Sequence, residues 1–368
     1  MEELEYRGEW WLADEEDEER VAGFLEFDPD SGGSLELIGS FDDFGNNLSR
    51  EVNLINGVTT DGNPVTLQDC FVHQSGLSST MQTQFCNVRK VFTGVLFSGG
   101  DLELEQVCLS FPLLGMWTAT NTVHVPEGKI SGATISKFDS IEAELDNVTI
   151  RLNTVPSQSI KQWKGIEITQ QAYFCIEPDE PMVFNDYIDD YIRHLQHFIC
   201  LAIGEPVNPV NVKGYYDHDG ETERMDITYQ VSHLPEVPEK KHPHRLQFNL
   251  QDINFEESLQ NWFRDADGAE MLHNLYFGTQ YNKTMFEENK FISLVIALES
   301  YQSYLFPDHQ LMERAEYDEL HEEVLNTISD DAAAKERIEN LLDSIGNKGS
   351  LHKQLSMVFY EYEDILKI

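Results

Sequence analysis

Basic residues are scarce in this chain of 368 residues: 25 Lys and Arg stand against 66 Asp and Glu, a formal charge of −41. A balance so negative repels phosphate backbones and anionic membrane surfaces, so nucleic-acid binding would need a local basic pocket or high salt. Cysteine is also sparse. Cys70, Cys86, Cys108, Cys175 and Cys200 are odd in number and scattered, and no CxxC occurs, so neither a disulfide framework nor a cysteine-based zinc site is expected. No run of about 18 apolar residues is present to cross a membrane as a helix. The start, MEELEYRGEWW, puts acid where an export signal needs basic and then apolar residues. The expectation is a protein of the reducing cytoplasm. Walker loops, GxGxxG, GxSxG and HExxH are all missing, so no cofactor and no metal is expected. Carboxylates are so common that any pair of them loses diagnostic value for glycosidase chemistry.

What is present is apolar mass, 40% of residues with 11% aromatic, too rich for a disordered chain. The length suits two domains. The acid is spread along the chain, and its densest run, Asp14 to Glu19, holds only six of the 66 carboxylates. Interaction tails come as blocks. Even spread points instead to a halophile's cytoplasm, where molar salt shrinks the Debye length to about 3 Å and screens self-repulsion.

From Val21 to about Leu250 the apolar period is two. Val21–Phe27 and Ser34–Ile38 flank the turn residues 28–33, and Ile141–Leu145 and Val148–Leu152 flank Asp146-Asn147. Leu102–Leu109, Thr66–Val72, Gln84–Phe97, Ile130–Phe138, Ile166–Ile176, Met225–Val231 and Arg245–Leu250 add further strands. Polar alternation implies sheets with one wet face, and many short strands imply a sandwich or jelly-roll-like β domain. One helix interrupts it: Ile188, Tyr191, Ile192, Leu195, Phe198, Ile199 and Ala202 share a face, with Gly204 and Pro206 as the stop.

After Leu250 the period becomes helical. Asn254 and Glu257 open a helix through Phe263, Ala269–Phe277 follows, and Phe291–Phe306 is apolar on most faces and so expected at a centre. Ser329 and Ser350 cap two more, and the last stripe runs to Ile365, a helical region that reads as incomplete. The overall expectation is an α+β chain: a β-rich domain with one embedded helix over residues 1–250, then an all-α region over 251–368.

Two segments carry a family resemblance. Gly8-Glu-Trp-Trp-Leu12, Val21-x-Gly23-x-Leu25-x-Phe27-Asp-Pro29 and Leu35-Glu-Leu-Ile-Gly39 resemble the N-terminal domain of ApeA-type antiphage defence proteins. Leu195-x-x-Phe198-x-x-Leu201-Ala-x-Gly204-x-Pro-Val207, joined to Phe291-x-x-Leu294-x-x-Ala297-Leu-Glu299, is similar to the family's passage into its HEPN domain. The resemblance implies a β-rich sensor of a phage-derived trigger. It also implies an all-α HEPN ribonuclease, usually dimeric, which here would make a homodimer through the C-terminal helices.

HEPN nucleases use an Arg, a polar neighbour and a His, the His moving a proton at the ribose 2′-OH and the Arg steadying the phosphorane. The pair nearest that pattern in the helical region is Arg314 and His321, which share a helix face. Ala315 stands in the polar place, and Glu313, Glu316, Asp318, Glu319, Glu322 and Glu323 surround the pair. The expected enzyme activity is none, with a ribonuclease using Arg314 and His321 as one alternative. Arg193 and His197 are one residue short of the spacing and lie on an ordinary polar face. The basic island Lys240, Lys241, His242, His244 and Arg245 offers a phosphate grip or a solvated loop. Trp10 and Trp11, adjacent on a strand, point to opposite faces. With Trp163 they frame the second alternative, an aromatic platform on a β-sandwich that binds carbohydrate or peptide and dimerises through its helical tail.

Overall fold

A computed structural model describes residues 1–13, 20–41, 49–73, 76–77, 82–97, 99–100, 102–119, 123–124, 134–135, 139–161, 165–231, 245–266, 268–307, 312–327, 332–342, 347 and 349–363. It divides into two compact units, Met1–Arg264 and Asp265–Ile368.

The first unit opens with seven strands, of which alternation anticipates those beginning at Val21, Gly32, Pro64 and Gln82 but not those beginning at Leu4, Arg50 and Gly76. They are β1 (Leu4–Leu12), β2 (Val21–Asp28), β3 (Gly32–Ile38), β4 (Arg50–Thr59), β5 (Pro64–Val72), the short β6 (Gly76–Leu77) and β7 (Gln82–Thr93). The order β7-β3-β2-β1-β4-β5 returns to β7, because β5 also pairs with it. Six strands therefore close into a barrel, which corrects the sandwich expectation. Alternation gives one dry and one wet face in either architecture, so it cannot separate them. The long β7 makes closure possible: residues 83–88 pair with β3, residues 86–93 with β5, and residues 90–93 with a further strand, β17.

An open sheet grows from that branch. The strands that follow are β8 (Glu103–Leu104), β9 (Gln106–Ser110), β10 (Val123–His124), β11 (Thr134–Ile135), β12 (Ile141–Glu144), β13 (Val148–Lys161), β14 (Gly165–Pro178), β15 (Met182–Val183), β16 (Val210–His218) and β17 (Glu221–Tyr229), of which β8 with β15 and β10 with β11 form two small separate sheets. The main ladder runs β12-β13-β14-β9-β16-β17 into β7, while β10 pairs β11 and β15 pairs β8. Of the expected strand at Ile130–Phe138, all but residues 134–135 lie outside the described residues. Arg245–Leu250 forms no strand: Asn249 caps a 3-10 turn at Leu250–Asp252, its side chain accepting from Gln251 N–H while Asp252 accepts from Asn249 N–H. A local Asx cap satisfies backbone groups that the strand reading would have given to a ladder.

Cys108 and Cys175 face each other across β9 and β14, with Cα atoms 4.1 Å apart, and form a disulfide. The scattered spacing in sequence had hidden this, because only the antiparallel register brings two cysteines separated by 67 residues together.

A short α1 (Leu114–Trp117) precedes the embedded helix. The latter runs as α2 (Phe184–Asp186), a π segment at Tyr187–Ile192 and α3 (Arg193–Ile203), closed by Gly204 in the left-handed conformation. Its Phe198 meets Trp117, Phe248 and Trp262 edge-on, with centroids 5.6 to 6.1 Å apart. Trp262 lies on α4 (Phe255–Ala266), whose Phe255 stacks on Phe174 and whose indole N–H donates to the His194 carbonyl at 2.9 Å. Those contacts seat α4 on the sheet domain.

In the second unit α5 (Glu270–Tyr281) packs on α6 (Glu287–Leu305), and α6 packs on α9 (Leu351–Glu361), where Tyr301 and Tyr362 stack with their hydroxyls hydrogen-bonded. Between these, α7 (Arg314–Thr327) meets α8 (Ala332–Leu341), and Tyr317 donates to the Leu342 carbonyl at 2.7 Å. The apolar α6 is not central: Phe291 is 69% and Ile292 54% exposed.

Candidate functional site

A cleft opens between residues 94–97 and 99–100 at the barrel mouth and the β16–β17 hairpin, a cavity of about 650 Å³. Its barrel side is held by buried polar groups. Asn56 Nδ2 donates to the Phe97 carbonyl at 2.7 Å, Thr66 donates to Asn56 Oδ1 at 2.8 Å, and Phe97 N–H donates back to Thr66 at 3.1 Å. Gly94, with φ +104°, turns the chain out of β7, and its N–H donates to the Pro64 carbonyl. The result is an apolar wall of Val95, Leu96 and Phe97, in which Leu96 faces solvent.

The opposite wall is a tight hairpin. Asp219 and Gly220 both take positive φ, the two-residue turn that an Asp-Gly pair favours, and Gly220 N–H donates to Asp217 Oδ1. The turn brings Tyr216, Asp217, His218 and Glu223 to the rim, facing Glu103 and Glu105. Tyr216 donates to Glu223 at 2.7 Å, and burial with that bond pushes its hydroxyl up to about 12. It therefore stays a neutral donor at physiological pH. The rim carries four carboxylates and one imidazole, so the cleft attracts cations and hydrogen-bond donors and disfavours phosphates. Among the described residues, no group of three or more His, Cys, Asp or Glu is arranged to hold a metal ion.

The residues singled out from sequence do not converge here. Trp10 is 0% and Trp11 4% exposed. Trp10 fills the barrel against Gly57 and Gly23, where any Cβ would strike its ring. Trp11, on the other face, is roofed by the Arg20 guanidinium 4.4 Å from its ring centroid. Neither forms the exposed aromatic platform, because a cation covers the one that a strand must turn outward. Trp163, Lys240, Lys241, His242 and His244 lie outside the described residues, and Arg245 is exposed at the edge of the 3-10 region. Arg314 sits exposed at the first residue of α7, and His321 packs beside Tyr317 with centroids 6.0 Å apart. Arg193 pairs with Asp189, and His197 is buried. The cleft itself was missed, although Asp219-Gly220 is a strong hairpin signal and could have located one wall.

Fold and site together define an α+β protein whose closed barrel and attached sheet make one unit with a preformed acidic cleft. The chain belongs to the ApeA N-terminal domain 1 family, whose model matches residues 5–262. That match covers nearly the whole first unit, Met1–Arg264. No curated protein and no solved structure matches the chain.

Proposed function

We propose that this chain serves antiphage defence of the abortive-infection type as a recognition protein, sensing a phage-derived trigger through its barrel-and-sheet unit. The family match over residues 5–262 carries the reading. The acidic cleft is the proposed docking place, and its apolar wall with a carboxylate rim suits a basic segment bearing an apolar anchor. The helical unit is proposed as a HEPN-like module that assembles copies of the chain rather than cutting RNA, since Arg314 and His321 stand among carboxylates that oppose phosphate approach.

The test is phage plating on a host expressing the chain. Glu103→Lys with Glu223→Lys should cost at least tenfold in protection while the circular dichroism spectrum is kept, and His321→Ala should leave protection unchanged. Full protection by the cleft variant would remove the docking assignment. Loss of protection with His321→Ala, together with RNA cleavage by the unmutated protein, would replace the reading by an active nuclease.

A further inference from the structure

We propose that Cys108 and Cys175 form a thiol–disulfide exchange site, opened by a dithiol reductant, that controls the seam between the two halves of the open sheet. Three observations converge on it. First, β9 meets β14 through only three residue pairs, Leu109↔Phe174, Cys108↔Cys175 and Val107↔Ile176, and the disulfide is the middle one. This short ladder joins β12-β13-β14 to β16-β17 and the barrel. Secondly, paired residues point to one face and their neighbours to the other. Val107, Leu109, Phe174 and Ile176 face the core, so the sulfurs lie on the opposite face, where Cys108 and Cys175 are themselves buried at 7% and 5% exposure and a reductant reaches them when the seam opens locally.

Thirdly, the register lays a row across that face: Lys213 opposite Cys108, and Arg151 opposite Cys175. In a chain of net charge −41, each sulfur thus has a cation as its cross-strand neighbour. The two are not equivalent. Arg151 is paired with Glu142 at 2.7 Å and Glu177 at 2.5 Å. Lys213 lies opposite Asp226 but has no ion-pair partner among the described residues. A nearby positive charge stabilises a thiolate, and the sulfur with the lower pKa leaves faster. Cys108 is therefore the leaving sulfur.

A thiolate of the dithiol attacks Cys175 Sγ, the Cys108–Cys175 bond breaks, and its electron pair departs on Cys108 Sγ beside Lys213. The reductant's second thiolate then attacks its own sulfur in the mixed disulfide and releases Cys175. The dithiol becomes a disulfide, two electrons pass to the protein, and the two protons lost by the dithiol end on Cys108 and Cys175. Without the cross-link, the three-pair ladder holds β9 and β14 by hydrogen bonds and packing alone, so the seam opens more often. Disulfides of reducing compartments are typically transient sensors of this kind.

The test treats the full, air-oxidised chain with graded dithiothreitol, alkylates it, and maps labels and amide exchange by mass spectrometry. Cys108 and Cys175, buried until the bond is cut and the seam opens, should gain label together, while Cys70 and Cys86 of the barrel and Cys200 of α3 stay unlabelled in the folded protein. Reduction should raise amide exchange at residues 106–110 and 174–176 and leave the barrel strands unchanged. Lys213→Gln should slow reduction about threefold, whereas Arg151→Gln changes it less. A Cys108→Ser, Cys175→Ser variant should show the raised exchange without reductant. Should that variant fail to fold, the reductant series on the natural chain decides alone. Equal labelling of both cysteines before and after dithiothreitol, or seam exchange that ignores reduction, overturns the proposal.

Discussion

At the scale of single residues, the barrel depends on glycines that leave room for one ring. A Cβ on Gly57 would lie 2.3 Å from Trp10, on a strand whose backbone is held on both sides. Gly57→Ala is expected to cost about 1–3 kcal/mol by overpacking, read as a lower urea midpoint at unchanged m-value. Tyr216 gives a pH prediction. Its hydroxyl is raised from 10 to about 12, by burial first and then by the bond and charge of Glu223. Between those values the folded protein keeps a proton that the unfolded chain has released, so stability is lost as pH rises through that window and is intact below pH 10. Tyr216→Phe should flatten the fall in urea stability between pH 10 and 12 by the share of one proton. Some slope remains, because burial also raises Tyr187, Tyr229 and Tyr301. Lys90 shows that burial need not mean apolar: it is held by Asp69 and by Asn185 of α2, which ties the embedded helix to β7.

At the scale of elements, local signals were the most legible. The turn after β2 forms around Asp28, which accepts from Asp30 N–H and Ser31 Oγ, as its Asp, Ser and Gly residues require. Ser350 caps α9 by accepting from Lys353 N–H. Gly204 closes α3. Caps and tight turns are written within a few residues, so sequence carries them. The burial of α6 was not legible, since an apolar surface states only that cover is favourable, not that a partner helix exists to supply it. Its exposed Phe291 and Ile292 and the exposed Phe359 of α9 are the surfaces through which we propose that copies of this chain pair. Phe291→Glu with Ile292→Glu is expected to shift sedimentation from dimer to monomer while moving the melting temperature by less than a few degrees. An unchanged sedimentation profile removes that pairing.

At the scale of the whole molecule, the chain carries a formal charge of −41. Self-repulsion among carboxylates weakens as ions screen it. Far-UV circular dichroism is expected to show loss of structure in dilute buffer and recovery with molar KCl, and a full cooperative melt in salt-free buffer would refute this. Composition and period determined the α+β class, the embedded helix and the change from strands to helices, because each rests on the local fit of a residue to a face or a cap. Only the tertiary structure decided that six strands close into a barrel, that Cys108 meets Cys175, and that a hairpin and a barrel mouth enclose a cleft. All three depend on which distant strands pair and in what register, and a one-residue slip would send every side chain to the other face.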